Sequence, residues 1–210
     1  MQPSVFLENL RRLHRDERSF LTSFVSGASL APLRPQFLAE VRTKLGIEVP
    51  EMAFLGFDYQ MSRIHAAAVM ASAERPGPHP SGGGIDKGNQ EHVDLLLAWE
   101  SGEGVELLIV ETEGVTGWSG KQLLSKAHWL GDVFGYGSGT ENYAWLRPRF
   151  AIASPVPPPV DMITLEWPEW MVDAEGRPAW LQMPVPRDLL KVTRTMADGS
   201  VRATGGFWLV

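Results

Sequence analysis

Two apolar runs joined by a short acidic turn, between Val93 and Gly114, constrain the fold of this chain more than any other stretch. The runs VDLLLAW and VELLIV are rich in strand-forming residues, and the intervening ESGEG is typical of a hairpin turn. The second run is apolar on both faces, which predicts a central strand of a sheet that is covered on both sides. Asp94, Glu111 and Glu113 interrupt these runs, although an unpaired buried charge is costly.

Helical and strand patterns flank this hairpin. Apolar residues at helical spacing predict helices over 4–27 and 34–45, and a third from Asp58 onward. After the hairpin, SGKQLLSKAHWLGDVFG predicts a helix that is capped by Ser119 and ended by Gly135. RFAIASPV predicts a further strand, and a DG pair between alternating runs predicts a hairpin near the end of the sequence.

Two stretches rich in proline lack any periodicity. ERPGPHPSGGGIDKGN, Glu74 to Asn89, predicts a mobile loop that leads into the first hairpin. MITLEWPEWMVDAEGRPAWLQMPVP, 162–186, predicts irregular structure. We therefore expect an α/β fold with a mixed α+β sheet and flanking helices. Residues 1–150 would form the core with its N-terminal helices, and 151–210 a Trp/Pro-rich β extension packed on the same domain.

Composition excludes some classes of protein. The sequence has 25 acidic and 19 basic residues, a formal charge of -6, so binding of nucleic acid would need a local basic patch. It has no cysteine, which excludes thiolate chemistry and a disulfide framework. It shows neither a membrane-spanning apolar run nor a signal-peptide pattern. We expect a soluble cytoplasmic protein.

The three carboxylates are predicted to meet at one end of the sheet. Alternate residues of a strand share a face, so Glu111 and Glu113 point to the same side. The hairpin places the start of its first strand, at Asp94, beside the end of its second, at Glu111. A strand-end carboxylate is usually solvated or ion-paired when it stands alone. Several together repel one another, and the usual remedy is a hard cation such as Mg²⁺ or Mn²⁺.

The segments HVDLLLAW and ELLIVETEG resemble the core of the PD-(D/E)XK, restriction-endonuclease-like nuclease superfamily. In that core a strand beginning with an apolar residue and Asp is followed by a hairpin and an apolar strand that ends in E-x-K. The predicted helix after the second strand carries Gln122 and Lys126 one turn apart. This pair resembles the Q-xxx-Y element of the exonuclease branch, with Lys in place of Tyr. The resemblance covers about 91–130.

The resemblance implies a metal site and a set of catalytic residues. Asp94 and Glu111 would bind the metal together with the backbone carbonyl of Thr112, and the metal would activate a water for attack on phosphorus. The motif lysine would stabilise charge on the phosphate, but Glu113 stands at its position. The catalytic set implied here comprises Asp94, Glu111, Glu113, Lys121, Gln122 and Lys126.

The departure at Glu113 leaves three alternatives open. Glu113 could itself bind metal, as in E-x-E variants. Lys121 or Lys126 could reach in from the following helix. If neither holds, the domain is a relic that binds nucleic acid without cutting it. The sequence therefore predicts a Mg²⁺- or Mn²⁺-dependent nuclease or a catalytically weakened descendant. The alternative is a non-enzymatic interaction module that binds a partner protein through its Trp/Pro-rich C-terminal part.

Overall fold

The structure, a computed structural model, describes residues 3–14, 33–73, 91–113, 120–135, 142–159, 165–185 and 192–209. Its helices are α1 Pro3–Leu13, α2 Pro35–Leu45, α3 Met61–Ser72 and α4 Gly120–Phe134. Its strands are β1 Phe54–Gln60, β2 His92–Ser101, β3 Gly104–Thr112, β4 Leu146–Ser154, β5 Ala179–Gln182, β6 Thr193–Thr195 and β7 Phe207–Leu209. A single 3₁₀ turn spans Glu169–Met171.

The first five strands form one mixed sheet in the order β1-β2-β3-β4-β5. β1, β2 and β3 pair antiparallel, whereas β4 is parallel to β3 and β5 is parallel to β4. The β2–β3 hairpin closes through Gly102 and Glu103, and the positive φ of 59° at Gly102 suits the first position of a tight hairpin turn. The predicted hairpin and the central place of its second strand are therefore confirmed.

Helices cover both faces of the sheet and give three layers. On one face, α1, α3 and α4 bury a large apolar cluster that includes Phe6, Ile64 and Ile109. On the other face, α2 buries a smaller cluster around Val41 and Leu108. Residues 105 to 111 of β3 are buried throughout, because neighbouring strands and both helical layers surround them. The predicted mixed α/β architecture is confirmed at this level.

Two segments differ from their predictions. The third helix begins at Met61 and not near Asp58, because 54–60 forms β1 and pairs along most of its length with β2. The helical spacing of Met61, Ile64 and Ala68 holds within α3, whereas long-range strand pairing overrides the predicted start of this helix near Asp58. The stretch 162–186, predicted to be irregular, supplies the edge strand β5 in addition to the 3₁₀ turn.

The other predicted helix boundaries agree with the structure or lie outside the described residues. The second helix is confirmed within one residue, and α4 ends at Gly135, whose φ of 78° favours glycine. Residues 15–27 of the first predicted helix lie outside the described residues, as do the Glu74–Asn89 loop and Ser119. In the described ranges, none of the helices is long and apolar enough to cross a membrane.

The C-terminal part contributes to the main sheet and to a small separate one. β4 runs through residue 150, and β5 extends the same sheet. Trp167, Trp170 and Trp180 pack against the larger apolar cluster. β6 and β7 pair antiparallel, and the predicted DG turn lies between Thr195 and Val201, which form an isolated bridge.

Candidate functional site at the end of the central strand

A buried ion pair stands at the end of β3. The Lys126 ammonium donates to Glu111 Oε2 at 2.6 Å, and the two side chains are only 7% and 6% exposed. Lys126 reaches this position because it lies on the buried stripe of α4, between Leu123 and Leu130. The helix therefore brings one charged residue into an otherwise apolar contact with the sheet.

Glu111 is only half satisfied by this pair. Its second oxygen, Oε1, is buried and has no hydrogen-bond partner among the described residues. Burial raises the pKa of Glu111 from 4.5 to about 7, although the charge and hydrogen bond of Lys126 oppose the shift. The nearby charges of Asp94 and Glu91 raise the pKa of Glu111 further. Such a carboxylate gains from any additional cation that reaches Oε1.

Asp94 lies beside Glu111 and is held by Thr112. Thr112 donates from its backbone N–H and its hydroxyl to Asp94 Oδ2, at 2.7 and 2.9 Å. The paired register of β2 and β3 ends at Leu95 and Val110, so Asp94 and Glu111 are the next residues along the same register. The Asp94 carboxylate thus replaces the next ladder bond and fixes the end of the central strand.

The neighbouring edge strand carries another carboxylate at the same end of the sheet. Asp58 has a φ of 49°, the one positive value among the described residues other than glycine. The β1–β2 register pairs Phe57 with Leu95 and Tyr59 with Val93, which leaves Asp58 opposite Asp94. Asp58 Oδ1 lies 3.6 Å from His92 Nδ1. The edge of this site is therefore polar and partly open to solvent.

The remaining predicted site residues lie further out. Lys121 and Gln122 are exposed on the first turn of α4, and only Lys126 of the two candidate lysines contacts Glu111. Glu113 follows the strand, is half-buried, and its backbone N–H donates to the Ala153 carbonyl. The structure therefore brings together Asp94, Glu111, Thr112 and Lys126.

The chemistry of these donors fits a magnesium or manganese ion held by two carboxylates. Within the described ranges, no group of three or more His, Asp or Glu residues is placed to hold a metal ion. Mg²⁺ is often bound through only one or two carboxylates and completes its shell with water and substrate phosphates. The unpartnered Oε1 of Glu111 and the neighbouring carboxylate of Asp94 match that smaller requirement.

A second buried carboxylate on β3 was not predicted from the sequence. Glu106 lies on the other face of the sheet, near the start of the strand, and its two oxygens accept from Arg147 and Arg149 at 3.1 and 3.4 Å. A shallow depression of about 470 Å³ beside it is lined by Glu103, Gly104, Ala144, Trp145 and Arg147. The Glu inside the apolar run VELLIV, with two Arg at alternate positions of β4, was the available signal.

Comparisons of the chain with protein-family models, with curated proteins and with solved structures return no match.

Proposed function

We propose that this protein is a metal-dependent nuclease that hydrolyses phosphodiester bonds, or a catalytically weakened descendant of one. The observation that carries the proposal is the half-satisfied Glu111, buried between Lys126 and Asp94 at the end of the central strand. The hairpin and following helix that resemble the PD-(D/E)XK core supply all three residues.

A purely structural ion pair is the simpler explanation, and Glu106 shows what it looks like in this fold. Each oxygen of Glu106 accepts a hydrogen bond from an arginine. Glu111 instead leaves Oε1 buried and without a hydrogen-bond partner among the described residues, which costs free energy if nothing else binds there. The oxygen without a partner, and not the ion pair itself, distinguishes Glu111 from Glu106 and favours a functional role.

The proposed roles follow from these contacts. Asp94 and Glu111, with the Thr112 carbonyl, would hold the cation, which when bound supplies an activated water and neutralises phosphate charge. Thr112 holds the Asp94 carboxylate through two hydrogen bonds. Lys126 fixes Glu111 through Oε2 and places a positive charge at the site, the role that the resemblance gives to the motif lysine.

The first test compares two glutamates of the same strand. Glu111→Gln removes the charge at the proposed site, whereas Glu106→Gln removes an equally buried, ion-paired charge at the other end of β3. The measurement is cleavage of single- and double-stranded DNA and RNA, with Mn²⁺, with Mg²⁺ and with EDTA. We expect metal-dependent cleavage by the wild type and by Glu106→Gln, and a loss of at least about 100-fold in Glu111→Gln.

The comparison separates a functional site at Glu111 from a purely structural ion pair, because both variants lose a buried carboxylate. Equal losses in Glu106→Gln and Glu111→Gln would trace the effect to folding and contradict a site at Glu111. Calorimetry tests the case of a weakened descendant that binds metal but does not cleave. In that case Mn²⁺ should bind the wild type and should not bind Glu111→Gln. Absence of both cleavage and Mn²⁺ binding would contradict the proposal.

The alternative of a non-enzymatic interaction module depends on which surface of the C-terminal part a partner protein could contact. Trp167, Trp170 and Trp180 pack against the core and are half-buried. The exposed apolar residues of this part that stand together are those of β7, Phe207 to Leu209, each more than half exposed. Within the described C-terminal residues, the β6–β7 hairpin is therefore the surface on which a non-enzymatic role would depend.

A further inference from the structure

The β6–β7 hairpin carries the one exposed tryptophan among the described residues. Trp208 is 62% exposed, and the other six described tryptophans are buried or half-buried. Phe207 and Leu209 are 56% and 54% exposed on the opposite face of the same strand. A two-stranded sheet is marginal in water, and both faces of this one carry exposed apolar side chains, so each face offers apolar surface to a ligand.

Trp208 is paired with an arginine that the hairpin holds in place. Arg194 and Trp208 are cross-strand neighbours, and the guanidinium lies 4.7 Å from the centre of the indole ring. The Arg194 Nη1 donates to the Ala203 carbonyl at 3.4 Å, and the Arg202 N–H donates to the Arg194 carbonyl at 3.1 Å. The result is a planar cation stacked on an aromatic ring, with further N–H groups available for an anion.

The charge of this hairpin differs in sign from that of the chain. Residues 192–209 contain two arginines and one aspartate, a net charge of +1, whereas the whole sequence carries -6. The single acid, Asp198, accepts from the backbone N–H and the hydroxyl of Ser200 within the turn. Arg194 and Arg202 are therefore the cations that an approaching polyanion meets on this hairpin.

We propose that the Arg194–Trp208 face of the hairpin binds single-stranded nucleic acid. The indole and the guanidinium provide stacking surface for a base, while Arg194 and Arg202 contact phosphates. A duplex buries its bases within its own stack and offers no free base face, so the hairpin favours single strands. The inference goes beyond the proposed nuclease site and does not require it, because the strand is bound by residues that take no part in the chemistry at Glu111.

The opposite face of β7 supplies a matched control. Phe207 is an exposed aromatic on the same strand, one residue away, but it faces away from Arg194. Loss of Phe207 removes a comparable apolar area from the hairpin without touching the Arg194–Trp208 stack. Trp208→Phe retains an aromatic ring at the proposed site and therefore tests stacking separately from the folding of the hairpin.

The experiment measures binding of the full chain to a fluorescein-labelled oligothymidylate of about 12 nucleotides, by fluorescence anisotropy in EDTA at low salt. We expect Trp208→Ala to weaken binding about tenfold, and Trp208→Phe and Phe207→Ala by less than about twofold. Arg202→Gln should lower the slope of log K against log salt by about 0.7, the value for one phosphate contact on a single strand. A duplex of the same length should bind more weakly.

Three results would overturn the inference. In the first the wild type does not bind the oligonucleotide, in the second Phe207→Ala and Trp208→Ala weaken binding equally, and in the third the duplex binds as tightly as the single strand. The first of them would leave the hairpin as a surface for a partner protein. Because EDTA removes the metal on which cleavage would depend, the anisotropy reports binding and not turnover at the site around Glu111. A failure at the hairpin is therefore distinguishable from a failure of the proposed nuclease.

Discussion

At the scale of single residues, the candidate site depends on how two buried glutamates of β3 are satisfied. In the described part of the chain, Glu106 has both oxygens paired, whereas Glu111 has one oxygen paired and the other buried without a partner. The sequence predicted that Asp94 and Glu111 would be neighbours, because strand alternation and hairpin geometry are local rules. It left Lys121 and Lys126 as equal candidates, since the rotation of a helix against a sheet is set by packing.

The role of Lys126 can be tested by removing this lysine and introducing one at position 113. In Lys126→Met the side-chain volume is nearly conserved, but Glu111 loses its cation, so we expect cleavage to fall by about 100-fold. Adding Glu113→Lys restores the E-x-K pattern on the strand. The double variant Lys126→Met/Glu113→Lys should recover about tenfold or more of the lost cleavage. The measurement is the rate of Mn²⁺-dependent cleavage under single-turnover conditions.

Lys121→Met is the matched control for this exchange, because Lys121 lies on the same helix but is exposed. It should leave the rate unchanged within about twofold. If Glu113 is itself a metal ligand, Glu113→Lys would lower the rate in both backgrounds, and the proposed role of Lys126 would not be supported by rescue.

At the scale of elements, the edge strand β5 depends on α2. The Gln182 backbone N–H donates to Glu40 Oε1 at 2.5 Å, which gives this edge N–H a partner outside the sheet. Glu40 therefore both anchors α2 and covers part of an open edge. We expect Glu40→Ala to speed hydrogen exchange at 179–183 and to lower the free energy of unfolding by about 1 kcal/mol.

A surface ion pair between α2 and the segment that follows it provides the comparison for Glu40. Glu48 pairs with Arg42 at 3.2 Å, but both side chains are more than two-thirds exposed. Glu48→Ala should change the free energy of unfolding by less than about 0.5 kcal/mol and leave exchange at β5 unaltered. Equal effects of the two substitutions would show that the Glu40 contact does not hold the edge strand.

The elements that sequence patterns missed are those formed by distant pairing. The end of β1 was assigned to a helix that starts near Asp58, because the helical spacing of Met61, Ile64 and Ala68 follows directly and β1 forms only by pairing with the distant β2. β5 has four residues between prolines and forms only against β4. The hairpin and α4 were predicted well because their signals, a Gly turn and a Gly stop, are local.

At the scale of the whole molecule, Glu111 links the site to the stability of the fold. Burial raises its pKa to about 7, above the ordinary value of 4.5, so between these pH values the folded protein binds more protons than the unfolded chain. The free energy of unfolding therefore contains a contribution that is complete below about pH 4.5 and is lost as pH rises towards 7.

This contribution can be isolated with a variant that leaves no unpaired charge at the pair. In Glu111→Gln/Lys126→Met both partners are neutral, so the variant lacks the titration of Glu111 while the volume is conserved. With metal removed by EDTA, the free energy of unfolding of the wild type minus that of the variant should fall by up to about 3 kcal/mol between pH 4.5 and 7.5. Urea unfolding at both pH values measures it. A constant difference would mean that Glu111 stays ionised in the folded state, because Lys126 then outweighs the cost of burial.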